Sequence, residues 1–170
     1  MNLILCGMMG AGKTTIGIKI AELTGRRWYD TDGLIVDKHG KISDIFEYYG
    51  EAHFRKLETE IVKELVKKDG LVISTGGGLV LKSENNALLQ ENGKIVFLRA
   101  TLETLAQRLK VDGERPLLQT STESIRDRLE RLMQERAPVY EHVADYIVDV
   151  DGKTPEEIAK EIVSVTGCEK

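Results

Sequence analysis

Asn2-Leu3-Ile4-Leu5-Cys6-Gly7-Met8-Met9-Gly10-Ala11-Gly12-Lys13-Thr14 is the stretch that decides the fold. Residues 2–6 read as a short buried strand, and Ile16, Ile20 and Leu23 then recur at helical spacing until Gly25 closes the helix. Between them, residues 7–14 fit the pattern G-x-x-x-x-G-K-[ST]. A glycine-rich loop in that position lets the backbone curl so that successive N–H groups converge on anionic oxygens. The helix N-terminus behind it adds partial positive charge. Lys13 is then placed to reach the β- and γ-phosphates of a nucleoside triphosphate, and the Thr14 hydroxyl to ligate Mg²⁺. A plain strand-to-helix turn would need neither the lysine nor the hydroxyl. The motif points to ATP with magnesium; it names a superfamily and not a reaction.

Working outward, the same alternation repeats. Arg27–Asp30 reads as a second strand, with Trp28 and Tyr29 supplying β-propensity. Phe54, Leu57, Ile61 and Leu65 mark a helix over about residues 51–67. Leu71-Val72-Ile73 is a third strand leading to Gly76-Gly77-Gly78, and Lys94–Leu98 a fourth, followed by a helix carrying Leu102, Leu105 and Leu109. Residues 110–121 carry neither period and read as a mobile loop. Ile125, Leu129 and Leu132 carry a helix expected to stop near Arg136, because Pro138 disfavours helical backbone at Ala137. Tyr146-Ile147-Val148 is a fifth strand, and Thr154 is the expected N-cap of a last helix with Pro155 at its first position. Strands alternating with helices predict a parallel sheet covered by helices, in a single α/β domain over residues 1–170.

Composition narrows the classes. The chain has 170 residues, 24 basic and 28 acidic side chains and a net charge of −4, and 41% of it is hydrophobic. A single domain of this size buries roughly 70% of its unfolded surface. The acidic balance argues against a nucleic-acid partner held by bulk positive charge. No apolar run approaches the roughly 18 residues of a membrane span, and the first residues lack the basic region of a signal peptide. Cys6 lies in an apolar run and Cys168 in a polar tail, with no metal-ligand spacing, which fits a reducing, cytoplasmic compartment. His39, His53 and His142 are isolated from the cysteines and from one another.

A second set of residues lies at the expected carboxyl ends of the strands, where open α/β sheets bind ligands. Asp30-Thr31-Asp32 follows the second strand. Carboxylates two apart in an extended segment point to one side, and a phosphoryl-transfer site needs one near the metal and one at the attacking hydroxyl. The same pair would also serve as a solvated strand end whose aspartate caps a helix. Arg55 and Glu58 are i,i+3 neighbours, so Glu58 can hold a guanidinium fork for a carboxylate, or the two form a surface ion pair. Three consecutive glycines, Gly76–Gly78, are costly in entropy and suggest close approach of the backbone to a ligand, against a merely flexible turn. Arg115 in the irregular segment is placed like a lid cation that meets the transferring phosphoryl group, or is an ordinary surface arginine. Arg136 stands in the last turn of the expected helix, where a cation suits the macrodipole whatever else it does.

Taken in order, the phosphate loop, Asp30-Thr31-Asp32, Phe54-Arg55-Lys56-Leu57-Glu58, Gly76-Gly77-Gly78, Arg115-Pro116-Leu117-Leu118 and Arg136-Ala137-Pro138-Val139-Tyr140 resemble the shikimate kinase family from residue 3 to about 160. The resemblance implies a three-layer α/β sandwich of the nucleoside monophosphate kinase type with a five-stranded parallel sheet. It further implies a substrate-binding segment over about 31–60 and a mobile lid over about 110–121. The implied reaction moves the γ-phosphoryl of ATP to the 3-hydroxyl of shikimate, on the route to chorismate and the aromatic amino acids. Asp32, Lys13 and Arg115 would be catalytic. Asp32, Arg55, Gly76, Gly77, Gly78 and Arg136 would hold shikimate. Gly10, Ala11, Gly12, Lys13, Thr14, Thr15, Arg108, Arg115 and Lys153 would bind the nucleotide, and Thr14 and Asp30 would support Mg²⁺. A monomer acting on a small molecule, with no nucleic acid and no membrane, is expected. A gluconate kinase of similar architecture would share the phosphate loop and lack the joint arginine and triple-glycine set. A non-catalytic nucleotide-binding module would need no acceptor residues at all.

Overall fold

The strand that precedes the glycine loop is buried at every position, which is what a central parallel strand requires. The computed structural model describes residues 1–111 and 123–168. Strand β1 (Asn2–Cys6) lies between β3 (Leu71–Ser74) and β4 (Gly93–Arg99), with β2 (Arg27–Asp30) and β5 (Tyr146–Asp149) at the edges. The order is β2-β3-β1-β4-β5 and every pairing is parallel. Register places Leu5 opposite Ser74 on one side and Val96 on the other, and Asp30 opposite Ser74. The carboxyl ends of β1, β2 and β3 therefore meet at one rim, where the chain's first crossover skips the place that β3 later fills.

Among the described residues, eight α-helices flank the sheet: α1 (Lys13–Thr24), α2 (Thr31–His39), α3 (Ile42–Tyr49), α4 (Glu51–Leu65), α5 (Ser83–Asn92), α6 (Leu102–Val111), α7 (Ile125–Val143) and α8 (Pro155–Thr166). Helix α1 packs on α8 and over β3, whereas α5 and α7 pack on β4, and α2, α3 and α4 pack together. Helix α8 starts as the sequence predicts, on a Thr154 capping box with Glu157 and Pro155 in the first turn. Among the described residues no helix is long and apolar enough to cross a membrane.

Several expectations are corrected. Helix α7 does not stop near Arg136; it continues through Pro138 to Val143. Pro138 removes one N–H on an exposed position, while Tyr140 (0% exposed) and Val143 (5%) bury the following turn. That burial outweighs the lost hydrogen bond and the backbone preference at Ala137. Leu23 is exposed rather than part of the buried stripe of α1, and Cys168 is a core residue rather than part of a polar tail. Both cysteines are free, and burial pushes the Cys6 thiol up to about 12. Helices α3 and α5 have no counterpart in the reading of the sequence, and α2 has one only as the helix that an aspartate of Asp30-Thr31-Asp32 would cap. The proposed lid lies almost wholly outside the described residues.

Asn2 fastens the start of β1 to the start of β3: its side-chain amide donates to the Lys68 carbonyl at 2.9 Å, and its oxygen accepts the Leu71 N–H at 2.9 Å. The bond from Leu71 is buried and the one to Lys68 partly so, and Asn2→Ala leaves the buried Leu71 N–H without its acceptor. We expect a loss of about 1–3 kcal/mol in urea unfolding, at an unchanged m-value.

Candidate active site

Two of the loop glycines that precede α1, Gly10 (φ 82°) and Gly12 (φ 97°), are left-handed, a conformation that a side chain at either position would strain. The curl brings the Lys13 ammonium back over the loop, donating to the Gly7 carbonyl at 2.7 Å and the Met8 carbonyl at 2.9 Å. Helix α1 has no acidic residue in its first turn, so its own side chains leave the positive end of the dipole uncancelled. Arg108 of α6 donates to the Gly10 carbonyl at 2.9 Å and braces the loop from the other side. Ala11 buries its side chain and gives its N–H to the Met8 carbonyl.

Below the loop, the Thr14 hydroxyl donates to Asp30 Oδ2 at 2.9 Å, while Asp30 Oδ1 accepts the Gly33 N–H at 3.1 Å and caps α2. Asp30 therefore does both things the sequence left open: it caps a helix and faces the phosphate loop. The Asp-x-Asp segment is not extended, because Thr31 and Asp32 already belong to the first turn of α2. A hydroxyl and a carboxylate in contact are an oxygen-only pair, the donor chemistry that Mg²⁺ prefers.

The triple glycine lies against the residues expected to hold the acceptor. A Cβ on Gly76 would stand 2.6 Å from Asp32 Oδ1, one on Gly77 3.1 Å from Arg136 Nη1, and one on Gly78 2.6 Å from Arg55 Nη2. None of the three has positive φ, so flexibility is not what demands glycine there. Space is: each glycine carries one charged side chain of α2, α7 or α4 directly on its backbone. The row itself is pinned from both sides, by Gly76 N–H donating to Thr31 Oγ1 at 2.9 Å and by Tyr140 Oη donating to the Gly77 carbonyl at 2.5 Å.

Arg55 donates to Glu58 at 2.8 Å and to Glu51 at 3.3 Å, and lies 5.4 Å from the centre of the Phe54 ring. Burial opposes its charge, but the two carboxylates outweigh that, and its pKa is raised. Glu58 moves the same way for the opposite reason. It is 1% exposed, and burial pushes its carboxyl up to about 7 against the pull of Arg55, with the charge of Asp32 adding to the rise. Arg136 is 6% exposed, and its charge partly offsets the burial that pushes the Tyr140 hydroxyl up to about 12.

One cleft of about 1350 Å³ holds Gly10, Gly12, Lys13, Thr14, Thr15, Asp30, Asp32, Arg55, Gly76, Gly77, Gly78, Arg108, Arg136 and Lys153. Lys153 pairs there with Glu161 at 2.6 Å. Arg115 lies outside the described residues. The sequence reading missed the apolar wall of Ile42 and Phe46 on α3, and Glu47 beside them. Ile42, Ile45, Phe46 and Tyr49 are spaced i, i+3, i+4, i+7, a signal that would have found that helix. It also missed Ser74, which accepts from Trp28 Nε1 at 3.0 Å and donates to the Lys13 carbonyl at 2.7 Å, tying the loop's helix to two strands. No periodicity announces such a residue.

The shikimate kinase family model matches residues 9–166. A shikimate kinase of Sulfurihydrogenibium sp. is 43% identical over 164 residues, covering 96% of each chain. A solved shikimate kinase of Acinetobacter baumannii in complex with shikimate superposes with a TM-score of 0.91 at 39% identity, covering 96% of this chain and 91% of that one. A gluconokinase of Sinorhizobium meliloti reaches a TM-score of 0.59 at 18% identity, covering 98% and 91%, a likeness of fold alone.

Glu58 makes stability pH-dependent. Its folded pKa is raised, so between about 4.5 and 7 the folded protein keeps a proton that the unfolded chain has released, and stability falls as pH rises through that window. Glu58→Gln keeps an acceptor for Arg55 and removes the titration. Its unfolding free energy should gain on the wild type by on the order of 1–3 kcal/mol between pH 4.5 and 8. Parallel curves in urea melts would show that Glu58 is not the titrating group.

Proposed function

The chain belongs to the shikimate kinase family, and on that premise we propose that it transfers the γ-phosphoryl group of ATP to the 3-hydroxyl of shikimate, giving shikimate 3-phosphate and ADP. The observation that carries the reading is the convergence of Asp32, Arg136 and Arg55 on three successive glycines in the same cleft as the Lys13 loop. Shikimate offers one carboxylate and three hydroxyls. Arg55 and Arg136 present guanidinium forks suited to the carboxylate, and Asp32 presents an acceptor suited to the hydroxyls. Ile42, Phe46 and Phe54 wall the space between with apolar surface, which displaces water from the acceptor and strengthens those polar contacts.

The chemistry asks mainly for positioning and charge stabilisation. Asp32 holds the attacking hydroxyl and takes its proton as the new O–P bond forms. The bond from the γ-phosphorus to the β–γ bridging oxygen breaks, and its electrons leave with ADP. Lys13 and the loop N–H groups receive the phosphate charge, and Arg115 is assigned by family likeness to the same group. Thr14 and Asp30 would hold Mg²⁺, which when bound screens the charge of the β- and γ-phosphates. Lys153 and Arg108 line the same cleft, where the rest of the nucleotide would lie. The enzyme is proposed to act in the cytoplasm as a monomer, without nucleic acid or membrane.

ADP release in a coupled assay should require shikimate. Gluconate should not replace it, and turnover with gluconate alone would overturn the assignment. In the same assay Asp32→Asn should lower kcat by roughly 10² or more while ATP binding is kept. An unchanged kcat would remove Asp32 from its role.

A further inference from the structure

Helix α7 buries two polar side chains one turn apart, Arg136 and Tyr140, on either side of the exposed Pro138. The i,i+4 spacing puts them on one face of the helix. Arg136 lines the cleft, whereas Tyr140 is not among its lining residues. The Tyr140 ring packs on Phe97 with centroids 5.1 Å apart, a contact that phenylalanine would make equally well. The hydroxyl is what packing leaves unexplained, since burying one is costly unless it has partners. It stands 4.0 Å from Met8 Sδ and donates its proton to the Gly77 carbonyl at 2.5 Å. A phenol has one proton, so with that proton committed only its lone pairs remain for a further neighbour. Arg136 is that neighbour, and a guanidinium offers donors alone. From the place that a Gly77 Cβ would take, Arg136 Nη1 is 3.1 Å away and Tyr140 Oη 3.7 Å, so both groups crowd one glycine. A hydrogen bond from Arg136 also counters the rise that burial imposes on the Tyr140 pKa.

We propose that Tyr140 is a positioning residue of the acceptor site: its hydroxyl, anchored on the Gly77 carbonyl, fixes the direction of the Arg136 guanidinium and so the fork offered to the acceptor's carboxylate. It acts through Arg136 and not by touching substrate. A neutral partner suits this task. A carboxylate in the same place would neutralise Arg136 and compete for its N–H groups, whereas a phenol accepts one N–H and leaves the charge to the ligand. The two arginines are thus aimed differently. Arg55 is held by the carboxylates of Glu58 and Glu51, and Arg136 by an oxygen without charge. The contact between Arg136 and Tyr140 stands on the geometry alone; what the aimed fork meets rests on the shikimate reading.

The test is steady-state kinetics of Tyr140→Phe, which keeps the ring and removes the oxygen. With ATP saturating, the KM for shikimate should rise about tenfold with kcat within about twofold of wild type, because the carboxylate is remote from the transferred group and only binding is lost. A role in folding alone would lower Tm and leave the KM where it was, and that result would overturn the proposal. In an Arg136→Lys background, where no fork is left to aim, the same change should cost less than about twofold. A tenfold loss there as well would show that the hydroxyl does not act through Arg136. Arginine side-chain ¹⁵N NMR reads the contact in the wild-type protein, whatever the stability of the variant. The Nη signals that Arg136→Lys removes should be resolved and slow in rotation before any shikimate is added, and fast averaging would overturn the preset aim. Absence of shikimate turnover would overturn the acceptor reading, while the NMR still decides the contact.

Discussion

The contact on which the proposed acceptor side depends is the one between a bare backbone and three charged side chains. Gly76, Gly77 and Gly78 leave room for Asp32, Arg136 and Arg55 to lie against the main chain at the rim of the sheet. Each of those side chains arrives from a different helix, α2, α7 and α4. The glycine row is therefore the common surface that registers three otherwise separate helices on one another. Thr31 and Tyr140 hold the row from opposite sides, and each belongs to a helix that also delivers one of the charged groups. Position and charge are thus set by the same few contacts, which is what a reaction governed by positioning requires.

Charge balance follows from that crowding. Two guanidiniums and one carboxylate lie close together there, and Glu58 stands beside them almost fully buried. Its raised pKa shows the cost: burial works against the carboxylate more than Arg55 works for it. The site tolerates this because an Arg55 guanidinium without a fixed partner would keep its charge and lose its direction. On the nucleotide side the corresponding economy is made by backbone. The loop curls through left-handed glycines and Lys13 folds back on it, so the positive character is concentrated in N–H groups and one ammonium.

The parts of this that could be read in the sequence are those with a period or a fixed pattern. The five strands, the phosphate loop and α8 with its capping box were legible, because burial alternates with turn chemistry and Thr154-Pro155 marks a helix start. The course of helix α2 was not, since Gly33 interrupts it and its buried positions, Thr31 and Ile35, form no stripe. Helix α5 was not, because it is polar apart from a few positions such as Leu89. Pro138 misled for a physical reason: local preference at one residue was overridden by the burial of Tyr140 two residues on. The proposed acceptor residues were nameable only as an ordered set, since Arg55, Arg136 and the glycines each have an ordinary explanation alone. That each glycine is matched to one side chain is a three-dimensional fact, as is the relay from Trp28 through Ser74 to Lys13.

The most direct test of the glycine row as the organising surface is shikimate binding to Gly78→Ala, followed by calorimetry alongside thermal unfolding. The added methyl meets the far end of the Arg55 side chain and not a backbone atom, and the position has no positive φ, so the fold should tolerate it. Shikimate affinity should fall by tenfold or more, about 1.4 kcal/mol, with Tm and ATP binding close to wild type. An unchanged shikimate affinity would contradict the account.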